Sequence, residues 1–162
     1  MSQQFVESLE MVAEEGLSLL DLDDEKDVRF IFATRSHPKI VPFHFGKPPS
    51  DYESHVAWLK KNVPYTRTIY VMHDGSTPVG YCQCHKLIGG TVVVGFVVHP
   101  DYQGRGFGGR MIDALLHRLH SVPEIRRIEL QVKCDNERAI GAYSRRGFKM
   151  VVFVDDMVIM AI

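Results

Sequence analysis

The stretch His99-Pro-Asp-Tyr-Gln-Gly-Arg-Gly-Phe-Gly-Gly-Arg110 has four glycines within six positions. It follows Thr91–Val98, whose apolar run is typical of a buried strand, and precedes a segment with apolar side chains at helical spacing. Glycine has no Cβ, so backbone amides in this turn can approach a ligand closely, and the first amides of a helix lack intrahelical acceptors. With the helix dipole and the charges of Arg105 and Arg110, the turn is suited to binding a pyrophosphate. An ordinary glycine-rich turn is the alternative.

The sequence on both sides of this turn predicts a single mixed α/β domain over residues 1–162, with residues 1–15 as a flexible or helical extension. Asp74-Gly75 indicates a hairpin, and Leu87-Ile-Gly-Gly90 indicates another turn. Gly95 is expected to form a bulge in its strand. Predicted helices begin near Asp23 and Asp51 and cover about 107–119 and 136–146; residues 39–50 form a loop; predicted strands are 17–22, 67–73, 78–85, 91–98, 126–133, 148–154 and 157–162.

Two kinds of phosphate-binding turn are compatible with these glycines. Gly104, Gly106 and Gly109 match the G-x-G-x-x-G pattern of dinucleotide-binding folds, which also requires an acidic residue about 20 positions later, at the end of the next strand. The acid at that distance is Glu124, which precedes the strand instead. Too few residues follow Gly109 for the second half of such a fold, so the dinucleotide interpretation is disfavoured.

The second interpretation comes from two motifs in a fixed order. Gln103-Gly-Arg-Gly-Phe-Gly108 resembles the Gln/Arg-x-x-Gly-x-Gly/Ala pyrophosphate loop of the GNAT superfamily, the acyl-coenzyme A-dependent N-acyltransferases. Val97-Val-His-Pro-Asp-Tyr102 is similar to the end of that family's fourth strand. Asn136-Glu-Arg-Ala-Ile-Gly-Ala-Tyr-Ser-Arg-Arg-Gly-Phe148 resembles its later Asn-x-x-Ala-x-x-x-Tyr-x-x-x-Gly-Phe segment.

This resemblance implies a GNAT fold: a mixed, mostly antiparallel sheet of about seven strands in which parallel strands four and five splay apart, with about four helices. It also implies acetyl-coenzyme A as the acyl donor, with its pantetheine arm in the gap between the splayed strands. Tyr143 would protonate the departing thiolate, although Tyr143 alone also fits core packing and Asn136 alone fits a helix N-cap. The residues implied to bind the coenzyme are Phe96, Val97, Val98, Gln103, Gly104, Arg105, Gly106, Phe107, Gly108, Gly109, Asn136, Tyr143 and Arg146.

The general base is left open by the sequence. Protein N-terminal acetyltransferases of this superfamily often carry a glutamate on the fifth strand, five residues before the asparagine, but that position here is Gln131. Glu129, His99 and a water molecule are the alternatives. Cys134 is disfavoured as an acyl-carrying nucleophile, because no histidine lies near it in the sequence.

The acceptor site is expected between the first two helices. Arg35-Ser-His-Pro38 and His55-Val-Ala-Trp58 resemble segments of the acetyltransferases that act on nucleotide-linked amino sugars and of those that act on ribosomal proteins. Arg35 and His55 are therefore the predicted acceptor-binding residues. The predicted function is acetyl transfer to the primary amine of a small molecule, such as a nucleotide-linked amino sugar. A protein N-terminal acetyltransferase and a non-catalytic acyl-coenzyme A sensor or interaction module are the alternatives.

Composition excludes other classes of partner. Nineteen lysines and arginines against 20 aspartates and glutamates give a net charge of −1, which disfavours nucleic acid binding. No apolar run is long enough for a membrane span, and the first residues lack the features of a signal peptide, so a cytoplasmic protein is expected. The Cys82 and Cys84 pair lacks the further ligands of a zinc site, and no metal is predicted. A homodimer is the expected oligomer, if one forms.

Overall fold

The computed structural model describes residues 16–63 and 65–162. In this part of the chain four helices and seven strands form. The helices are α1 (Glu25–Ser36), α2 (Tyr52–Asn62), α3 (Phe107–His120) and α4 (Glu137–Ser144); the strands are β1 (Leu17–Leu19), β2 (Arg67–Asp74), β3 (Thr77–Ile88), β4 (Thr91–Val98), β5 (Arg127–Lys133), β6 (Lys149–Val154) and β7 (Met157–Ala161). Short 3-10 turns occur at Val41–Phe43 and Pro100–Tyr102.

The strands form one sheet in the order β1-β2-β3-β4-β5-β7-β6. Every neighbouring pair is antiparallel except β4 and β5, which are parallel. The predicted fold class is therefore confirmed: a mixed, mostly antiparallel sheet with one central parallel pair and the helices in the expected order.

Helices pack on both faces of the sheet and create two apolar cores. Met111 and Leu115 of α3 and Tyr143 of α4 belong to the core on one face. Ile31 of α1 and Leu59 of α2 belong to the core on the other face. Alternation along β4 divides its side chains between the two cores, so this strand reaches both sides of the molecule.

The parallel pair opens along its length, as predicted. The β4–β5 register runs from Thr91 opposite Arg127 to Val94 opposite Leu130 and then stops. Beyond this point β4 remains paired only with β3, up to Val98 opposite Gly80. The result is a gap between the second halves of β4 and β5.

The backbone of β4 leaves unused hydrogen-bonding groups in this gap. The amide of His99 donates to the Val79 carbonyl oxygen on β3 at 3.0 Å. Because successive residues of a strand direct their amide and carbonyl groups to opposite edges, Val97 also faces β3, whereas Phe96 and Val98 face β5. Phe96 and Val98 therefore present their backbone to the gap.

Three local predictions were wrong. The first strand ends at Leu19 because the Asp21 side chain accepts the Asp23 amide and starts a turn. The β3–β4 turn is confined to Gly89 and Gly90, which both have positive φ, so β3 continues to Ile88. Gly95 forms no bulge: its register opposite Gln83 is continuous, and a Cβ there would lie 3.3 Å from the Gln83 side chain. The predicted extension at residues 1–15 lies outside the described residues.

Candidate active site

The glycine-rich turn joins β4 to α3 in the geometry of an anion site. Gly104 and Gly106 have φ of 84° and 86°, and a Cβ built at either one would meet no atom within 4 Å. Gly106 is the N-cap of α3 and has no side chain to cap the helix. The first amide that bonds back within the helix is that of Arg110, to the Gly106 carbonyl oxygen at 3.2 Å. The amides of Phe107–Gly109 are thus available to an anion at the positive end of the helix dipole.

Gln103 connects this turn to the end of the gap. Its side-chain amide donates to the Val98 carbonyl oxygen at 3.0 Å, and its side-chain oxygen accepts from Arg138 on α4 at 3.0 Å. Arg138 and the exposed Arg105 add positive charge beside the turn. Since the Val98 carbonyl oxygen faces the gap, a ligand that bonds to this oxygen has to displace or share the Gln103 contact.

Tyr143 and Asn136 lie on the α4 side of the gap. The Tyr143 ring is buried, with its centroid 5.9 Å from the rings of Phe96 and Phe148. Burial raises the pKa of the phenol, so the hydroxyl stays protonated at neutral pH. The Asn136 side-chain oxygen caps α4 by accepting the Ala139 amide at 3.3 Å, which leaves its NH₂ group for a ligand. Both residues thus have the structural roles considered from the sequence, and their part in binding the coenzyme stays a prediction.

Arg146 is committed to a structural contact. Its guanidinium donates to both carboxylate oxygens of Asp113 on α3, at 2.6 and 3.0 Å, and to the Ala142 carbonyl oxygen at 3.2 Å. A Cβ at Gly109 would collide with this guanidinium. Arg146 therefore fastens α4 to the first turns of α3, and Gly109 is required for that close approach.

On the opposite face of the sheet, Arg35 and His55 lie together. The guanidinium of Arg35 at the end of α1 lies 4.6 Å from the centre of the Trp58 ring, and the His55 ring stacks on the same indole at 6.4 Å. Arg67 of β2 lies 5.0 Å from the Trp58 ring and donates to the side-chain oxygen of Gln83. We call Arg35, His44, His55, Trp58 and Arg67 the Trp58 cluster.

His44 and Arg67 are members that the sequence analysis missed. His44 lies in the loop after α1: its Nδ1 is 3.0 Å from the Phe45 carbonyl oxygen, and its Nε2 is 3.4 Å from the Tyr81 hydroxyl. The Phe45 ring lies 5.7 Å from Nζ of Lys133 at the end of β5, so the loop spans the gap from β3 to β5. Strand alternation could have identified Arg67, which shares a face with the buried residues of β2; no periodic signal marks His44.

The two candidate bases are both engaged. The Glu129 carboxylate accepts from Nε of Arg127 at 2.7 Å and lies on the part of β5 that is still paired with β4. In His99, Nδ1 accepts the Asp101 amide at 3.3 Å, which places the ring proton of the neutral form on Nε2. Burial lowers the pKa of His99, against an opposing effect of Asp101. In this arrangement Nδ1 of His99 already accepts a hydrogen bond, and Glu129 lies outside the open part of the gap.

Metal and thiol chemistry find no support among the described residues. No group of three or more histidine, cysteine, aspartate or glutamate side chains is arranged to hold a metal ion there. Cys82 and Cys84 are buried free thiols whose pKa values are raised by burial, and Cys134 is exposed.

None of the helices in residues 16–63 and 65–162 is long and apolar enough to cross a membrane.

Residues 30–148 match the sequence profile of the Acetyltransferase (GNAT) family. Because this match covers most of the chain, the protein belongs to that family. It is an acyl-coenzyme A-dependent N-acetyltransferase, with acetyl-coenzyme A as the acyl donor. No curated protein sequence matches the chain.

Solved structures share the fold at low sequence identity. The spermidine N-acetyltransferase from Vibrio cholerae in complex with CoA and spermine has a TM-score of 0.80 and 21% identity, covering 92% of this chain and 96% of that one. A domain from Methanocaldococcus jannaschii has a TM-score of 0.75 and 19% identity, covering 90% and 96%. The dodecameric Vibrio cholerae enzyme has a TM-score of 0.74 and 18% identity, covering 92% and 94%.

Proposed function

We propose that the protein transfers the acetyl group of acetyl-coenzyme A to the primary amine of a small molecule that approaches from the face covered by α1 and α2. The observation that carries this proposal is the gap between β4 and β5. The glycine-rich turn and Tyr143 lie at one side of this gap, and the loop carrying His44 crosses its other side. A donor and an acceptor can thus meet in the gap from opposite faces of the sheet.

The acyl donor, acetyl-coenzyme A, would be held mainly by backbone groups. The amides of Phe107–Gly109 and the charge of Arg105 suit its pyrophosphate, while the edge of β4 at Phe96 and Val98 suits the amides of its pantetheine arm. The side-chain NH₂ group of Asn136, the N-cap of α4, offers one further hydrogen-bond donor. Val97 faces β3 with its backbone, so its part in the predicted set is limited to lining the site.

The reaction requires few side chains. The lone pair of a neutral amine forms a bond to the acyl carbon, the carbon–sulfur bond breaks, and the thiolate takes up a proton. Tyr143 supplies this proton or a hydrogen bond to the sulfur, since burial keeps its hydroxyl protonated. The proton lost by the amine goes to water, because Nδ1 of His99 is occupied by the Asp101 amide and Glu129 lies where β5 is still paired with β4.

Gln131, at the position where related enzymes often carry a glutamate, favours a weakly basic acceptor. Deprotonating a lysine-like amine with a pKa of about 10.4 at pH 7.4 costs about 4 kcal/mol, whereas an amine with a pKa of about 8 costs about 1 kcal/mol. Two small-molecule classes are to be compared. Nucleotide-linked amino sugars are suggested by the resemblance of the Arg35-Ser-His-Pro38 segment, and polyamines are suggested by the structurally similar spermidine N-acetyltransferase, which was solved with spermine.

An acceptor screen tests this proposal. Purified protein with acetyl-coenzyme A is offered amino sugars, nucleotide-linked amino sugars, amino acids, polyamines and N-terminal peptides, and release of the free thiol is followed. We expect release of the free thiol with at least one small amine and no release with the peptides. Turnover only with peptides would favour a protein N-terminal acetyltransferase. Coenzyme binding with no turnover in any arm would favour the non-catalytic sensor.

The expected homodimer would form through β6. This edge strand exposes all six side chains, five of them apolar, over Met150–Val154. Pairing of two copies antiparallel about Val152 places Lys149 of one copy opposite Asp155 of the other, so the charges match as well as the apolar side chains. Light scattering should give twice the monomer mass, and Val152→Lys should reduce it to the monomer mass. A monomeric wild-type protein would contradict the pairing.

A further inference from the structure

The Trp58 cluster carries positive charge with no negative partner. The guanidinium of Arg35 forms no hydrogen bond or ion pair with any described residue, and that of Arg67 bonds only to the neutral amide of Gln83. Burial and the charge of Arg35 together lower the pKa values of His44, His55 and Arg67. The contribution of Arg35 to these shifts disfavours a further positive charge at each of these groups.

Several hydrogen-bonding groups in this cluster are buried and unsatisfied. Nε of Arg35, Nε of Arg67 and both ring nitrogens of His55 are shielded from solvent and have no hydrogen-bond partner. His55 is 1% exposed. A buried donor without an acceptor costs about 1–3 kcal/mol, and more if it is charged, so an acceptor supplied by a ligand would remove this cost. A ligand with anionic oxygens would offset the positive charge and accept hydrogen bonds from the arginines.

The cluster lies next to the gap. Gln83, the partner of Arg67, pairs with Gly95 on β4, and the side chains at these two positions are on the face covered by α1 and α2. Gly95 lies one residue beyond Val94, where the pairing of β4 with β5 ends. Because neighbouring strands are about 5 Å apart, an anionic group at Arg67 lies roughly 10 Å or less from the edge of the gap. A short spacer is enough to connect an anionic group there with an amine in the gap.

We propose that the acceptor carries a carboxylate or phosphate group a few bonds from its amine, and that Arg35 and Arg67 bind this group against Trp58. This inference rests on the proposed function. Guanidinium groups form paired hydrogen bonds with carboxylates and phosphates, and their flat faces stack on aromatic rings, as both arginines do here. The same charges repel a polyamine, because its second, positively charged amine would lie beside the two arginines.

Matched amines test the charge preference. The set consists of 5-aminopentanoate, 4-aminobutyl phosphate, pentylamine and 1,5-diaminopentane, which share a similar spacer and differ in the charge of the far end. We expect kcat/KM for at least one anionic amine to exceed that for pentylamine at least tenfold, or about 1.4 kcal/mol, with 1,5-diaminopentane the poorest. The carboxylate and phosphate arms show which anion fits.

Variants connect the preference to the arginines. Arg67→Gln should reduce the preference for the anionic amine over pentylamine to within about threefold, and Arg67→Lys should retain part of it because the charge remains. The control is Arg29→Gln, which removes an exposed arginine of α1 that pairs with Glu25. This control should keep the full preference.

A binding measurement keeps the inference separate from the proposed function. Inorganic phosphate should raise the melting temperature of the protein with coenzyme A present, and Arg67→Gln should abolish this rise. Acetylation that prefers pentylamine or 1,5-diaminopentane would overturn the anion site and leave the proposed function intact. No acetylation of any amine, together with an Arg67-dependent phosphate effect, would overturn the proposed function and support the anion site. A phosphate effect that is absent, or equal in Arg67→Gln, would overturn the anion site.

Discussion

Gly106→Ala should separate the conformational role of the glycine-rich turn from its binding role. Gly106 has a φ of 86°, and a Cβ there meets no protein atom within 4 Å. The substitution therefore causes no clash, but it holds alanine in the left-handed region at a cost of about 1–2 kcal/mol. The new methyl group projects from the N-cap of α3, beside the amides of Phe107–Gly109. If a pyrophosphate binds these amides, the methyl group obstructs its approach.

The expected loss of affinity is at least tenfold in Kd for acetyl-coenzyme A, or about 1.4 kcal/mol. Gly89→Ala is the matched control, because Gly89 also has a positive φ, at 58°, with no atom within 4 Å of a built Cβ. Gly89 lies in the turn at the other end of β4, one strand length from the glycine-rich turn. Both variants should lose similar stability, with melting temperatures lowered by about 2–8 °C.

Isothermal titration calorimetry with acetyl-coenzyme A gives the affinities, and differential scanning calorimetry gives the melting temperatures. Only Gly106→Ala should lose affinity. Unchanged affinity in a folded Gly106→Ala variant would refute the assignment of this turn as the pyrophosphate site. Equal loss of affinity in both variants would show that the effect comes from destabilisation and not from the site.

Three further predictions follow from the same geometry. Tyr143→Phe should lower kcat by about 10²–10⁴-fold with little change in coenzyme affinity, and a loss below about threefold in steady-state assays would assign the ring to packing alone. Gly109→Ala should displace the Arg146 guanidinium from Asp113 and change the free energy of urea unfolding by no more than about 1 kcal/mol, because the flexible end of Arg146 can move aside and alanine favours a helix over glycine. In an Arg146→Ala background the same substitution should be stabilising, since its methyl meets no guanidinium there. Burial lowers the pKa of His55 to about 4, so between pH 4 and about 6.5 the unfolded state binds more protons than the folded state. The free energy of unfolding should therefore fall by about 2 kcal/mol from pH 7 to pH 5. His55→Gln should largely remove this pH dependence.

The order of helices and strands could be predicted because each element has a local signal. Asp51 caps α2, the apolar face of α3 has helical spacing, and the Asp74-Gly75 pair closes the β2–β3 hairpin. The errors arose where contacts with residues distant in the sequence determine the local structure. Gly95 resembles a bulge in isolation, but its missing side chain accommodates Gln83 of the neighbouring strand. A partner 12 positions away in the chain gives no local signal.

The parts of the site that consist of backbone groups could be predicted from the sequence, and the parts that consist of side chains could be predicted only incompletely. Gly104 and Gly106 mark the turn because only glycine readily adopts their positive φ. The splayed edge at Phe96 and Val98 came from the family resemblance and not from local pattern. The Trp58 cluster was found only in part, because Arg35 and His55 lie in segments that resemble a known branch, whereas Arg67 and His44 join them through the tertiary fold.

The charge of the Trp58 cluster also bears on the missing base. Gln131 stands where related N-terminal acetyltransferases often carry a glutamate, so the amine has to lose its proton without a carboxylate there. Burial is the larger cause of the lowered pKa values of His44 and His55, and the charge of Arg35 lowers them further because it destabilises a nearby positive charge. An ammonium group held in the gap beside Gly95 experiences the same field, and each unit by which its pKa falls reduces the cost of deprotonation by about 1.36 kcal/mol. A carboxylate offsets only one of the two arginine charges, so with a carboxylate acceptor the remaining charge continues to favour the neutral, reactive amine, whereas a phosphate with nearly two negative charges would offset both. The arginines that hold the acceptor thus also reduce the need for a base.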